Sequence, residues 1–383
     1  PHTRLVRQYN EASNGNDVLY VGELTGDATS RLETGFVDGR YFTYNIGGLN
    51  TDAVFNGEIA AFTKKHTPAT DTTEAETTYA SNGVGITKAG TGSWTVNNNF
   101  NFPASVTGSK VNVADGKFII NGDILFPNTT KAGSQINVTG GEMEINGTVT
   151  FVNDSAAHVI KVAKGVLCVH DSIIAPAVSQ LTLTVDTTGI LKTNNVAIGA
   201  YNVIVSGVVE GGASYSNSFS LVDSVAVLKL KGTSFNEGEF EVVKAKGDII
   251  ITAGTIDITM VNSPSENKEI KILDAGNYDI LDNIDKIKVL VNRVDITANT
   301  ADTEVPENVS GVYYFDPETG VLGFLKGSLT GLEKNVNTKV IKSVEYFNVL
   351  GQKVYHNNDG YSIQKTTYTD GSVKTEKVFN KTR

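Results

Sequence analysis

Apolar residues spaced two apart, in short runs closed by Asn, Asp or Gly, return through the middle of the chain at a nearly fixed interval. Between Val111 and Ala197 the runs read GKFIINGDI from Gly116, GEMEINGTV from Gly141, GVLCVHDSI from Gly165 and GILKTNNVA from Gly189, and successive glycines lie 25, 24 and 24 residues apart. Two positions after each glycine stands Phe118, Met143, Leu167 or Leu191, and four after it Ile120, Ile145, Val169 or Thr193. Side chains two apart on a strand share a face, so each run predicts a short strand with two inward positions. Next come Asn121, Asn146, His170 or Asn194, followed by Gly122, Gly147, Asp171 or Asn195. Most of these residue types enter the left-handed backbone region at little cost, so the strand ends there and the chain turns.

A period in the twenties with short strands and no helical spacing predicts a coil that stacks on itself, because one turn cannot bury its own apolar face. The expected fold class is all-β: a parallel β-helix or β-solenoid with rungs of about 24 residues. Phe118, Met143 and Leu167 then form one inward ladder, Ile120, Ile145 and Val169 another, and the Asn positions a polar ladder at the corner. Nothing in these ladders calls for chemistry. After Gly189 the alternation persists in YNVIVSGVVEGG (201–212), VAVLKLKG (225–232), GEFEVVKAKGDIIITAGTIDITMV (238–261) and KEIKILDAG (268–276), with variable turns. Irregular rungs follow from that. DPETG between two apolar runs predicts a closing hairpin that covers the open end of the stack. The expected organisation is a solenoid over 1–325, regular over about 84–200, a linker at 326–342 and a C-terminal unit at 343–383.

Composition narrows the partners. The 38 glycines suit turn-dense β-structure, and a net charge of -10 without a basic cluster argues against nucleic acid or anionic lipid. Cys168 is the sole cysteine, which excludes an internal disulfide framework. Its thiol reads as a small strand side chain rather than a nucleophile. No apolar run reaches membrane-spanning length, so membrane insertion is not expected. A chain that starts at Pro1 without a leader is expected of a processed product or a fragment.

Residues 1–48 read as strands and turns whose aromatic residues Tyr20, Tyr41, Phe42 and Tyr44 pack the first turns, with a sugar-stacking platform as the functional alternative. Next, LNTDAVFNGEI (49–59) and GITKAGTGSWTVNNNF (85–100) flank a polar insertion. This stretch resembles the autotransporter-associated β-strand repeat of the passenger regions of secreted bacterial β-helix proteins. The matching positions are Ile86, Lys88, Gly90, Gly92, Trp94 and Val96, with Gly116 and Phe118 closing the repeat. Ile86, Trp94 and Val96 would be apolar anchors, AGTG a tight corner, and Lys88 an exposed side chain. The resemblance implies a scaffold rather than an activity. The Thr-rich, charged insertion at 63–83 predicts a solvated loop.

The C-terminal segment carries YFNVLGQKV (346–354), GYSI (360–363) and DGSVKTEKV (370–378). It resembles the C-terminal sorting domain of proteins exported by the type IX secretion system of Bacteroidetes, on Tyr346, Asn348, Gly351, Val354, Gly360, Gly371, Lys374 and Lys377. Asn380 to Arg383 extend slightly beyond that pattern. The residues themselves predict three strands in a small, sandwich-like antiparallel unit with a core of Tyr346, Phe347, Val349, Val354 and Tyr361. The resemblance implies secretion to the cell surface, with the outer-membrane translocon and a sorting peptidase as partners. It also implies O-glycans at Asp-Ser/Thr motifs, for which Thr72, Ser155, Ser172, Thr187 and Ser224 are candidates.

No catalytic constellation is legible. His2, His66, His158, His170 and His356 are scattered, and nucleophile-elbow, phosphate-loop and dinucleotide patterns are lacking. No cofactor or metal is implied, and the chain reads as a non-enzyme. The preferred reading is an adhesin or structural envelope protein that meets a host or environmental glycan or protein. A self-assembling filament subunit is one alternative. A carbohydrate-active lyase or glycosidase is the other, with Asp123, Asp171 and Glu142 as the acids of the regular rungs.

Overall fold

A computed structural model of the chain describes residues 4–5, 17–34, 42–61, 83–102, 105–127, 129–152, 156–176, 180–328, 341–348, 352–354, 360–368 and 371–380. The chain divides into two compact units, Pro1–Glu304 with Val312–Lys326, and Val305–Gly311 with Gly327–Arg383. The first is a parallel β-helix. Lys110–Val113, Lys117–Ile120 and Ile124–Phe126 form one rung, and Gln135–Val138, Glu142–Ile145 and Val149–Phe151 the next. Pairing is parallel and in register, Val111 with Ile136, Phe118 with Met143 and Ile124 with Val149. Each rung therefore contributes one strand to each of three faces, numbered here in that order.

The predicted ladders are the core. Phe118, Met143, Leu167 and Leu191 are buried one above another, as are Ile120, Ile145 and Val169. Aromatic residues extend them. Trp94 stacks on Phe118 with centroids 4.8 Å apart, and Phe126 on Phe151 at 4.9 Å. At the corner between the first and second faces Gly116 and Gly141 both hold φ near +64, and a Cβ on Gly141 would lie 2.2 Å from the carbonyl oxygen of Gly116. The repeating glycine is thus required by backbone stacked on backbone. In the next two rungs Val159–Val169 and Thr182–Lys192 run through this corner as continuous strands.

The rungs become irregular where expected. Leu183 pairs with Val203, Val203 with Phe219 and Phe219 with Ile249, so the rung shortens to 16 residues and then lengthens to 30. The inward positions stay apolar throughout. At the end, Gly311–Asp316 and Val321–Lys326 form the predicted hairpin around Asp316 to Gly320, and the second strand pairs antiparallel with Lys268–Lys271. The Gly320 carbonyl accepts from Ile272 and Leu273 N–H, at 3.0 and 3.1 Å, which occupies the last edge of the third face.

The first turns already belong to the stack, since Asp17–Val21 pairs in parallel with Phe42–Ile46. Their aromatic residues do not all pack, contrary to the sequence reading. Tyr44 is buried, but Tyr20 is 76% exposed, because Tyr20 pairs with the outward Asn45 on the other side of the pleat. The 63–83 insertion and Tyr41 lie almost wholly outside the described residues.

The second unit contains an antiparallel sheet in the order Lys353–Val354, Ile341–Phe347, Gly360–Tyr368, Val373–Asn380. Four strands stand where three were expected, because the short Lys353–Val354 segment folds back beside Tyr346 and Phe347. Of the expected core, Tyr346, Phe347 and Val354 are only half-buried, while Ser362 and Thr366 are the buried side chains among the described residues. Among the described residues the covered positions lie on the central strand, at Ser362 and Thr366, rather than at the aromatic positions. Val349, the Tyr361 side chain and most of the 326–342 linker lie outside the described residues.

Candidate functional site

Among the residues of the first resemblance, Ile86, Trp94 and Val96 are buried anchors, and the Trp94 indole donates to the Leu24 carbonyl at 3.1 Å. Gly90 holds φ +71, and a Cβ on Gly92 would meet the Thr51 carbonyl oxygen at 2.2 Å, as a tight corner requires. Lys88 overturns its expected exposure. It occupies the inward ladder position between Ile46 and Val113 and is completely buried. Its ammonium donates to the carbonyls of Ala89 and Gly90, both at 2.7 Å, and approaches that of Asp115 at 3.4 Å. The corner turns these oxygens inward, where only a long donor reaches them. Desolvation lowers the Lys88 pKa, against the opposing pull of Asp115 and Asp52. Lys88 is therefore a corner brace, not a surface group.

The outer side of the regular rungs is self-paired. Amides of Asn56, Asn97, Asn121 and Asn146 form a hydrogen-bonded ladder with steps of 2.7, 2.6 and 2.7 Å. Of the acids considered for catalysis, Asp123 accepts the Thr148 N–H at 2.8 Å, Asp171 accepts the Thr148 hydroxyl at 3.1 Å, and Glu142 pairs with Lys117 at 3.0 Å. Each serves the corner or the strand it lies on. Cys168 is half-buried on the outward side of the second face, beside Glu144 and Lys192 in register, and burial raises its thiol pKa. Of the glycosylation candidates, Thr187 and Ser224 are exposed and Ser172 is half-buried; Thr72 and Ser155 lie outside the described residues.

In the C-terminal sheet Asn348 is clamped to Gln352. Its backbone N–H and its side-chain amide donate to the backbone and side-chain oxygens of Gln352, and its side-chain oxygen accepts the Gln352 N–H, all at 2.9 Å. Tyr346 pairs with Val354 and Gly360 with Asn380 across the sheet, while Gly371 holds φ +83 at a turn. Lys374 is exposed and paired with Glu376 at 2.7 Å, Lys377 is exposed, and Gly351 lies outside the described residues.

A cleft that could take a ligand lies elsewhere among the described residues, on the third face where the rungs lengthen. It encloses about 610 Å³. Its floor is an outward ladder, Ser214 in register with Lys244 and Lys244 with Asp274, behind which Ala213, Val243 and Leu273 point into the core. One wall is the loop from Thr233 to Glu239, inserted before the Phe240 bridge to Gly232. Glu239 organises that loop by accepting from Ser234 and Asn236, which leaves Glu237 on the cleft side without a partner among the described residues. Phe235, half-buried, lies 6.2 Å from both Phe240 and Tyr313. The other wall is the strand carrying Glu269 and Lys271. Glu269 accepts from the Tyr314 hydroxyl, whose pKa rises to about 12 through burial and this neighbour. Lys271 pairs with Asp274 at 2.9 Å, which raises its own pKa. Asn195, at φ +53, accepts the Val242 N–H at 3.3 Å and presents its amide at one end.

The sequence reading passed over this cleft, although a signal was present. TSFNEGE (233–239) places an aromatic residue inside an otherwise polar insertion between two alternating runs. Among the described residues, no group of three or more His, Cys, Asp or Glu could hold a metal ion, and no helix is long and apolar enough to cross a membrane. No protein-family model matches the chain, and no curated protein matches it either.

Proposed function

We propose that this chain is a secreted β-solenoid displayed on the cell surface, acting as an adhesin or structural envelope protein, and that it is exported by the type IX system. The observation that carries this reading is the division of labour along the chain. A long parallel stack, held by interior ladders and self-paired on its regular outer faces, is followed by a second compact unit with a small antiparallel sheet, in which Ser362 and Thr366 are the only buried side chains among the described residues. The stack suits a mechanical and interfacial role, because each rung is supported by its neighbours. The small sheet suits an address recognised by an outer-membrane translocon and then removed by a sorting peptidase. The wider chemistry of the type IX resemblance, O-glycans at Thr187 and Ser224 included, belongs to the same proposal.

Deletion separates the two roles. A chain ending near Gly331 should unfold cooperatively when made in a heterologous cytoplasm, yet stay in the periplasm of its native host, inaccessible to protease added outside the cells. Surface exposure of the truncated chain, or loss of its cooperative transition, would contradict the address role. The carbohydrate-active alternative is favoured by one observation, the cleft where Glu237, Glu269 and Asp274 face the same space. Release of reducing ends from polysaccharide by the purified chain would select it.

A further inference from the structure

We propose that the cleft on the third face binds a neutral oligosaccharide laid along the stack of rungs. The inference supplies a ligand class for the surface-contact reading and rests on that reading for its biological setting; the binding itself depends only on the cleft. Its floor repeats Ser214, Lys244 and Asp274 at the rung spacing of about 4.8 Å. That interval is close to the advance of one pyranose unit in an extended chain, so successive sugars meet successive rungs. The groups on offer match their chemistry. The Ser214 hydroxyl, the Lys244 ammonium, the Glu237 carboxylate and the Asn195 amide nitrogen have no partner among the described residues, and Phe235 gives an apolar surface for the C–H side of a sugar ring.

The same features disfavour other ligands. Three carboxylates stand against two ammonium groups in the lining, which repels a polyanion such as a sulfated glycan or a nucleic acid. An apolar ligand would strand unpaired charges beneath it. Peptide addition to the sheet is closed off, because the floor strands pair on both sides until Leu273–Asp274, where the Ile272 and Leu273 N–H groups are taken by Gly320.

The test is titration calorimetry of the purified full chain with four probes: cellohexaose, xylohexaose, mannohexaose and N-acetylchitohexaose. At least one should bind saturably at one site. Phe235→Ala should weaken that binding by about tenfold, the scale of one aromatic contact. Because Phe235 also packs on Phe240 and Tyr313, two exposed floor positions serve as independent variants: Lys244→Ala should weaken binding and Ser214→Trp abolish it, both with an unchanged melting temperature. Absence of binding by all four probes, binding that survives Ser214→Trp, or tighter binding of heparin than of any probe would overturn the proposal. Binding with these mutational effects would sustain it even if the chain were found inside the cell, in which case the surface-display reading alone would fail.

Discussion

At the scale of single residues, the difference between Lys88 and Ile145 shows how far a periodic pattern can be trusted. Ile145 lies between Ile120 and Val169 in an all-apolar ladder, so Ile145→Asp would bury an unpaired carboxylate and should cost several kcal/mol or unfold the rung locally. Lys88 sits at an equally buried position, but its ammonium serves carbonyls that have no other hydrogen-bond donor among the described residues. Lys88→Met keeps the stem and removes the donor, which should cost about 2 kcal/mol. Lys161→Ala, on the outside and paired with Asp186, should cost under about 1 kcal/mol. Urea unfolding of the three variants checks the order. The burial of Ile145 was legible from spacing alone. That of Lys88 was not, because residue type argues for exposure and only the folded corner places three carbonyl oxygens around that position.

Among the elements, the strands and their register were legible wherever the period held, since Gly116, Gly141 and Gly165 mark the same corner on successive rungs. The cleft was not legible, because it depends on how the long rungs after Phe219 project their extra residues, and no local pattern fixes that. Outer ion pairs add a pH dependence to the strands. A hydrogen bond from Lys117 holds the Glu144 carboxyl below its ordinary value of 4.5, and one from Lys229 does the same for Glu210. A carboxylate with a depressed folded pKa stabilises the fold above its unfolded value, and that contribution is lost as pH falls through the lower folded value. The melting temperature should therefore drop as pH falls below about 4.5, and a Glu144→Gln, Glu210→Gln variant should drop less steeply over the same window. An identical acid profile for the variant would remove these pairs from the explanation.

At the scale of the whole chain, the parallel β-helix and the small antiparallel C-terminal sheet were both legible, the first from its repeat and the second from turn residues such as Gly371. Of the core foreseen for the C-terminal unit, Tyr346, Phe347 and Val354 are only half-buried, because alternation of apolar residues identifies a strand without revealing which of its positions are covered. Surface function rests on the claim that one continuous stack carries the cleft, from the exact repeat through the irregular rungs. Outward positions on the second face allow a direct measurement. Ile119 is followed in register by Glu144, Cys168, Lys192, Glu210, Lys229 and Asp257, which places Glu210 four rungs and Asp257 six rungs away. Spin labels at Ile119→Cys paired with Glu210→Cys or Asp257→Cys, in a Cys168→Ser background, can be read by double electron–electron resonance. A continuous stack predicts narrow distributions centred at about 19 Å and about 29 Å between backbones, the rung spacing taken four and six times. Broad distributions, or a second distance that does not exceed the first by about two rungs, would contradict it.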